Sequence, residues 1–253
     1  MVTFTSDPKV LGDDRLKFVD MHHHSSVSDG TTPPQVLAKI FAKRGIGLCI
    51  ADHNQVKGSV YLSKHKEVFS IPSIEVTSKE AKDVLAYFYD VSDLVGFWEQ
   101  EIKDRIRNNR GFNLNRTSLS IHDLPDKIKA YNGVPVLAHP FGLRPKDARR
   151  LIRNEEFMRT ISGVELFTCG KATGGQIRFL KGTGKPLIAG TDSHTVSHFN
   201  ALTGAEAYDI DSFLSAVLKQ KNVIYSRRVF YVRRMAHALA IFRKAFSLTV
   251  PGK

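Results

Sequence analysis

Seven histidine and acidic residues stand where short apolar runs give way to polar ones, and this placement constrains the chain more than any other feature. The run DMHHHSSVSDG carries His22 and His24, IADHN carries His53, SIEVT carries Glu75, VLAHP carries His139, and GTDSH carries Asp192 and His194. Residues two apart on a strand share a face, so the rings of His22 and His24 converge, as do Asp192 and His194. Asp20 falls one step earlier on the face of His22, and His23 points to the other side.

The apolar runs are short and β-branched, and amphipathic stretches separate them. Strands are expected at 16–21, 47–52, 69–76, 84–89, 134–139, 163–168, 186–191 and 223–225. Helices are expected at 35–44 after a Pro-Pro start, at 146–153 after Arg144-Pro145, and at 210–220 behind Asp209 or Asp211. Strand–helix alternation of this kind argues for an α/β chain with a parallel sheet or barrel, whose strand ends gather on one face. The segment 91–132 departs from the pattern. Leu94, Phe97, Trp98, Ile102 and Ile106 follow helical spacing before GFNLN interrupts it, which reads as an inserted helical pair with Trp98 in its packing.

At 253 residues and 42% hydrophobic, the chain has material for a full core, and an α/β barrel commonly takes about 250 residues as one unit. No run approaches the roughly 18 consecutive apolar residues of a membrane helix, and the opening MVTFTSDPKVLGDD is not read as a secretory signal. Cys49 and Cys169 in apolar contexts do not form a disulfide framework, and the expectation is a cytoplasmic protein. The net charge of +12 is unevenly placed: no acidic residue follows Asp211, while Lys219, Lys221, Arg227, Arg228, Arg233, Arg234, Arg243, Lys244 and Lys253 do. The tail 226–253 therefore reads as a basic amphipathic segment set apart from the unit 1–225. It can contact a polyanion, lie on an anionic membrane, or pack as a final helix.

Imidazole and carboxylate without thiolates suit borderline divalent ions such as zinc, manganese or iron. A tetrahedral ion takes about four ligands, so this many convergent groups calls for at least two ions. His23, His65, His122 and His237 lack such placement and read as surface or packing residues, whereas His198 lies close enough to TDSH to touch a substrate.

In these residues the chain resembles the PHP (polymerase and histidinol phosphatase) superfamily of metal-dependent phosphoesterases, from Asp20 to about Gly204 and in the family's motif order. The resemblance implies a distorted seven-stranded (β/α) barrel of PHP type with a helical insertion, holding two or three divalent ions (Mn, Zn or Fe). His22, His24, Glu75 and Asp192 would hold one ion, Asp29, His53 and His194 a second, and Glu75 would bridge to a third held with His139. Asp83 stands where the family usually offers a histidine and is expected to complete that third site. A metal-bound hydroxide held at Glu75, Asp192 and His194 would attack a phosphate ester. Three such ions outweigh the charge of the four carboxylates, so the site suits an anionic substrate, with Arg144 and Lys171 as candidate phosphate contacts. The substrate implied is a phosphorylated nucleotide or short nucleic acid. A histidinol-phosphate type of small-metabolite phosphatase, or a non-catalytic PHP module, are the alternatives.

Overall fold

A computed structural model describes residues 2–107, 116–142, 147–166, 173–196 and 199–227. Its strands are β1 (Thr3–Thr5), β2 (Lys17–His23), β3 (Gly47–Ile50), β4 (Ser73–Thr77), β5 (Asp83–Phe88), β6 (Ile106–Arg107), β7 (Arg116–Thr117), β8 (Gly133–Leu137), β9 (Gly163–Glu165), β10 (Leu187–Ile188), β11 (Ala201–Ala205) and β12 (Val223–Ser226). Between them run helices α1 (Pro34–Arg44), α2 (Lys57–Leu62), α3 (Val91–Phe97), α4 (Leu124–Ala130), α5 (Arg149–Ile152), α6 (Glu155–Thr160), α7 (Gly174–Lys181) and α8 (Ile210–Leu218).

Local chemistry sets these limits. Pro34 opens α1, where a missing N–H is harmless, and Gly45 closes it in the left-handed conformation at φ 62°. Asp209 and Ser212 exchange hydrogen bonds in a capping box at the start of α8, and Thr173 and Gln176 do the same for α7. The central strands β3, β4, β5 and β8 are buried along their whole length, which is why β3, β5 and β8 read as largely apolar runs, whereas β4 alternates and turns Glu75 into the centre.

The strands form two five-stranded sheets, β1-β12-β11-β2-β3 and β10-β9-β8-β5-β4, with β6 and β7 as a separate pair. The expected parallel seven-stranded barrel is not what the ladders form. β4 with β5, β5 with β8, β11 with β2 and β11 with β12 all run antiparallel, and among the described residues no continuous ladder closes. For β4 with β5 the cause is visible at residues 78–82: five residues suffice for a hairpin, whereas a parallel return needs a crossover of about a dozen. Isolated bridges link the two sheets instead, His23 to Ser193 and His53 to Glu75. Hydrogen bonds reinforce them, from Asp192 N to His22 O at 2.8 Å, His24 N to Ser193 O at 2.9 Å and Asn54 N to Glu75 O at 2.8 Å.

Apolar clusters fill both sides of this frame. Ile74, Val76, Val84, Phe88 and Leu137 pack with α3, α4 and α6, and Val19, Met21, Tyr87 and Val136 pack under α8. In the segment read as an inserted helical pair, α3 runs on through a π turn at Trp98–Ile102, and the β6–β7 pair precedes α4. Trp98 packs against the core, and its indole N–H also donates to Asn54 O at 3.0 Å. No helix among the described residues is long and apolar enough to cross a membrane. The tail beyond residue 227 lies outside the described residues.

Candidate metal centre

The exits of β2, β3 and β8, the loop after β10, and the strands β4 and β5 bring nine side chains to one place. They are His22, His24, Asp29, His53, Glu75, Asp83, His139, Asp192 and His194. Among the described residues, three of the six non-glycine residues with positive φ sit here: Asn54 directly after His53 (54°), His139 (22°) and Asp192 (49°). Such backbone costs on the order of 1–3 kcal/mol at each position and persists only where the surroundings impose it.

The donor atoms fall into three overlapping groups. In the first, Nε2 of His22 and Nε2 of His24 are 3.0 Å apart. Each lies 3.4 Å from Glu75 Oε2, and Asp192 Oδ1 is 3.6 Å from the former and 3.2 Å from the latter. A tetrahedral ion with ligands at about 2.0–2.1 Å holds them roughly 3.3 Å apart, so the donors of His22, His24 and Asp192 fit a divalent cation, with Glu75 Oε2 beside both histidines. Nδ1 of His24 and Oε2 of Glu75 are buried and make no hydrogen bond of good geometry, as suits atoms meant for a cation.

The second group gathers at Asp29, whose Oδ2 is 3.1 Å from His194 Nε2 and 3.9 Å from His53 Nε2, with His24 Nδ1 3.5 Å from Oδ1. His24 thus faces two groups, one with each ring nitrogen. In the third, His139 Nε2 lies 2.9 Å from Glu75 Oε1 and 3.5 Å from Asp83 Oδ2, and His53 Nδ1 is 3.0 Å from Glu75 Oε2. Glu75 stands at the junction of the first and third groups.

The electrostatics favour concentrated positive charge. Burial alone would raise the carboxyl of Glu75, yet His53, His22 and His139 hold it well below the usual carboxylate range. Asp29 is likewise buried but held low by His194, His53 and His24, and Asp192 by His22, His24 and His194. Burial works against a proton on His22, but Glu165, Glu75 and Asp192 outweigh it and raise its pKa. His139 rises to about 9 against burial through Glu75 and Asp83, and His194 to about 9 through Asp29. Burial and the neighbouring His194 push His24 down to about 3. The carboxylates that favour protons here favour divalent cations in their place.

A shell of buried polar residues holds these side chains, and of its carboxylates the sequence pattern marked only Asp20. Asp52 accepts from Ser25 N (2.8 Å), Ser25 Oγ (2.7 Å) and Ser28 Oγ (2.7 Å), fixing the loop that returns to Asp29. Asp20 accepts from Thr191 N (2.8 Å) and Thr191 Oγ1 (2.7 Å), next to Asp192. It also lies 3.0 Å from Nδ1 of His23, although strict alternation would set Asp20 and His23 on opposite faces. A register shift in β2 between them accounts for the meeting, and His23 is buried as a packing residue against Phe41. Glu165 contacts both His22 and His139. It ends a strand just as the seven histidine and acidic positions end their runs, so the same rule reaches it. Arg144, Lys171 and His198 lie outside the described residues.

No protein-family model and no curated protein sequence matches the chain. Solved structures do. A two-domain protein containing a PHP-like metal-dependent phosphoesterase from Bacteroides vulgatus aligns with TM-score 0.58 and 14% identity, over 91% of this chain and 71% of that one. A protein described as a metal-dependent phosphoesterase from Bifidobacterium adolescentis aligns with TM-score 0.57 and 19% identity, over 85% and 98%. The lesion-specific endonuclease PfuEndoQ from Pyrococcus furiosus aligns with TM-score 0.63 and 14% identity, over 94% and 72%. The chain therefore has the fold of the PHP-like phosphoesterases.

Proposed function

We propose that the chain is a metal-dependent phosphoesterase that hydrolyses a phosphate ester of a nucleotide or short oligonucleotide. The observation that carries this reading is the set of His22, His24 and Asp192, whose donors lie 3.0–3.6 Å apart as one cation would space them, with Glu75 Oε2 3.4 Å from both histidines. Asp29, His53 and His194 would hold a second ion, with His24 beside them. Glu75, Asp83 and His139 would hold a third. Manganese, zinc and iron all suit these donors. Bound divalent ions would supply an activated water and neutralise the oxygens of the phosphate.

The chain's own residues set the direction of approach. Side chains of His22, His24, Glu75 and Asp83 are fully buried, whereas Asp192 is 20% exposed and Asp29 and His53 are 13% exposed. The phosphate group then enters over Asp29, His53 and Asp192, with Glu75 and Asp83 at the floor. Arg144, Lys171 and His198 are the candidates to orient it.

The fold supports the same reading. The bridges His53–Glu75 and His23–Ser193 link β2, β3, β4, β5, β8, β9 and β10 across the two sheets, and these seven strands would make up the distorted barrel of PHP type expected over residues 1–225. The segment 91–132 would be inserted and 226–253 appended. A nucleic-acid substrate is favoured by the net charge of +12 and by the likeness to a lesion-specific endonuclease.

Purified protein treated with chelator, then supplied with manganese or zinc, tests the reading on phosphomonoesters, nucleoside bisphosphates and short oligonucleotides. Metal-restored phosphate release or strand cleavage is expected. A chain that binds neither ion and releases no phosphate sinks it, and turnover confined to small non-nucleotide monoesters moves the substrate to a small metabolite.

A further inference from the structure

Glu165 ends β9 with about 1% of its surface exposed, and it does not belong to the nine converging donors. Burying a carboxylate is costly unless strong donors receive it. Here its two oxygens go to two different donors, each tied to a different part of the centre. Oε1 lies 3.0 Å from Nδ1 of His22, and Oε2 accepts the backbone N–H of His139 at 2.8 Å.

Each contact has a consequence for the histidine that makes it. A hydrogen on Nδ1 of His22, held by a carboxylate, leaves Nε2 as the atom available to a cation. That Nε2 is the one 3.0 Å from its counterpart on His24 and 3.4 Å from Glu75 Oε2. His139 adopts φ 22°, a region that side-chain-bearing residues rarely enter, immediately before Pro140. The bond to Glu165 fixes its N–H, and a hydrogen bond from Gly142 N to His139 O at 2.7 Å fixes its carbonyl. Held from both sides, the residue places Nε2 2.9 Å from Glu75 Oε1. The rings of His22 and His139 lie with centroids 5.8 Å apart and planes 23° from parallel. One carboxylate thus braces two ligand-type histidines that face different groups of the cluster.

We infer that Glu165 is a positioning residue that couples the His22 and His139 parts of the centre, so that its loss weakens two cation positions together. The inference rests on the reading of the cluster as a metal centre. A glutamine at this position is isosteric, but its single carbonyl oxygen can receive only one of the two donors while its amide group faces the other. Glu165→Gln therefore breaks one brace, and Glu165→Ala breaks both.

The test is a zinc titration of the chelator-stripped full chain, followed by calorimetry and by metal analysis of ions per chain. Unfolding temperatures in chelator are measured alongside. Wild type is expected to take up at least two ions. Asp83→Ala should weaken one of them, Glu165→Gln the one whose brace it breaks, and Glu165→Ala two, by about 10–100-fold as for other residues that orient metal ligands. A purely structural role predicts a lower unfolding temperature in chelator with an unchanged zinc isotherm, and that result overturns the inference. If the Glu165 variants do not fold, ring-nitrogen NMR of zinc-loaded wild type decides: a His22 proton on Nε2 rather than Nδ1 overturns it. Failure of wild type to bind zinc or manganese overturns the metal-centre reading and this inference with it. Equal zinc binding by wild type and folded Glu165→Gln removes only the role of Glu165.

Discussion

Asp83 opens β5 with its carboxylate 3.5 Å from His139 Nε2, in a pocket that also holds Glu75 and His53. Carboxylate oxygens are the harder donors, so a pocket with two of them leans toward manganese, while one with two imidazoles, like that of His22 and His24, leans toward zinc. Asp83→His should therefore shift the third position toward zinc. Loading stripped protein from an equimolar manganese and zinc mixture, followed by metal analysis, should show the Mn:Zn ratio falling about tenfold at that position, the scale of a single change around a metal. An unaltered ratio would show that Asp83 does not touch the ion. Seven of the nine converging side chains were legible in the sequence because an ionisable residue at the end of an apolar run has few reasons to be there, whereas Asp29 and Asp83 were reached only through the family resemblance. Glu165 and Asp52 were not singled out, and Asp20 was placed only on the face of His22, because a carboxylate that braces a ligand resembles one that caps a loop until the loop is folded. Hydrogen bonds across more than a hundred residues, as from His22 to Glu165, leave no periodic trace in the chain.

At the scale of elements, the centre depends on how closely the segment 189–194 passes β2. A Cβ added at Gly190 would run into the backbone nitrogen and Cβ of His22, so only glycine lets the two segments meet and lets Asp192 N reach His22 O. Gly190→Ala forces them apart. Overpacking of this kind costs about 1–3 kcal/mol, which lowers the unfolding temperature by roughly 2–12 °C for a chain of this size. Zinc affinity should fall with it, since Asp192 moves too. Gly174→Ala makes the contrast: it lies in α7 with nothing near its added Cβ, and helical alanine in place of glycine is neutral or stabilising by about 0.5–1 kcal/mol. Calorimetric unfolding of the two variants should separate them, and equal melting would show that the close approach at Gly190 is not needed. Most strands were legible as elements, but strand direction was not. Apolar content reports burial, whereas the antiparallel turn between β4 and β5 follows from the length of the loop at 78–82.

The charge of the whole molecule distinguishes a polymeric substrate from a small one. Nine cations follow Asp211 with no acidic residue among them, so they enhance the field around the chain wherever the tail lies. If they track a phosphate backbone, affinity for an oligonucleotide falls with salt, log K dropping by about 0.9 per log unit of salt for each phosphate neutralised on duplex and about 0.7 on single strands. Replacing Arg227, Arg228, Arg233 and Arg234 together by glutamine should then flatten the slope by up to about 3–4 units, because each lost contact removes one term. Hydrolysis of a small phosphate ester should stay unchanged, since none of the four belongs to the nine donors of the centre. Packing of the tail as a final helix predicts the opposite pair of results, a lower unfolding temperature with an unaltered slope. A membrane role predicts binding to vesicles of anionic lipid that the same replacements abolish. Fluorescence anisotropy of a labelled oligonucleotide at several salt concentrations reads the slope directly, and a stable variant with the wild-type slope would leave the cations without a part in substrate binding.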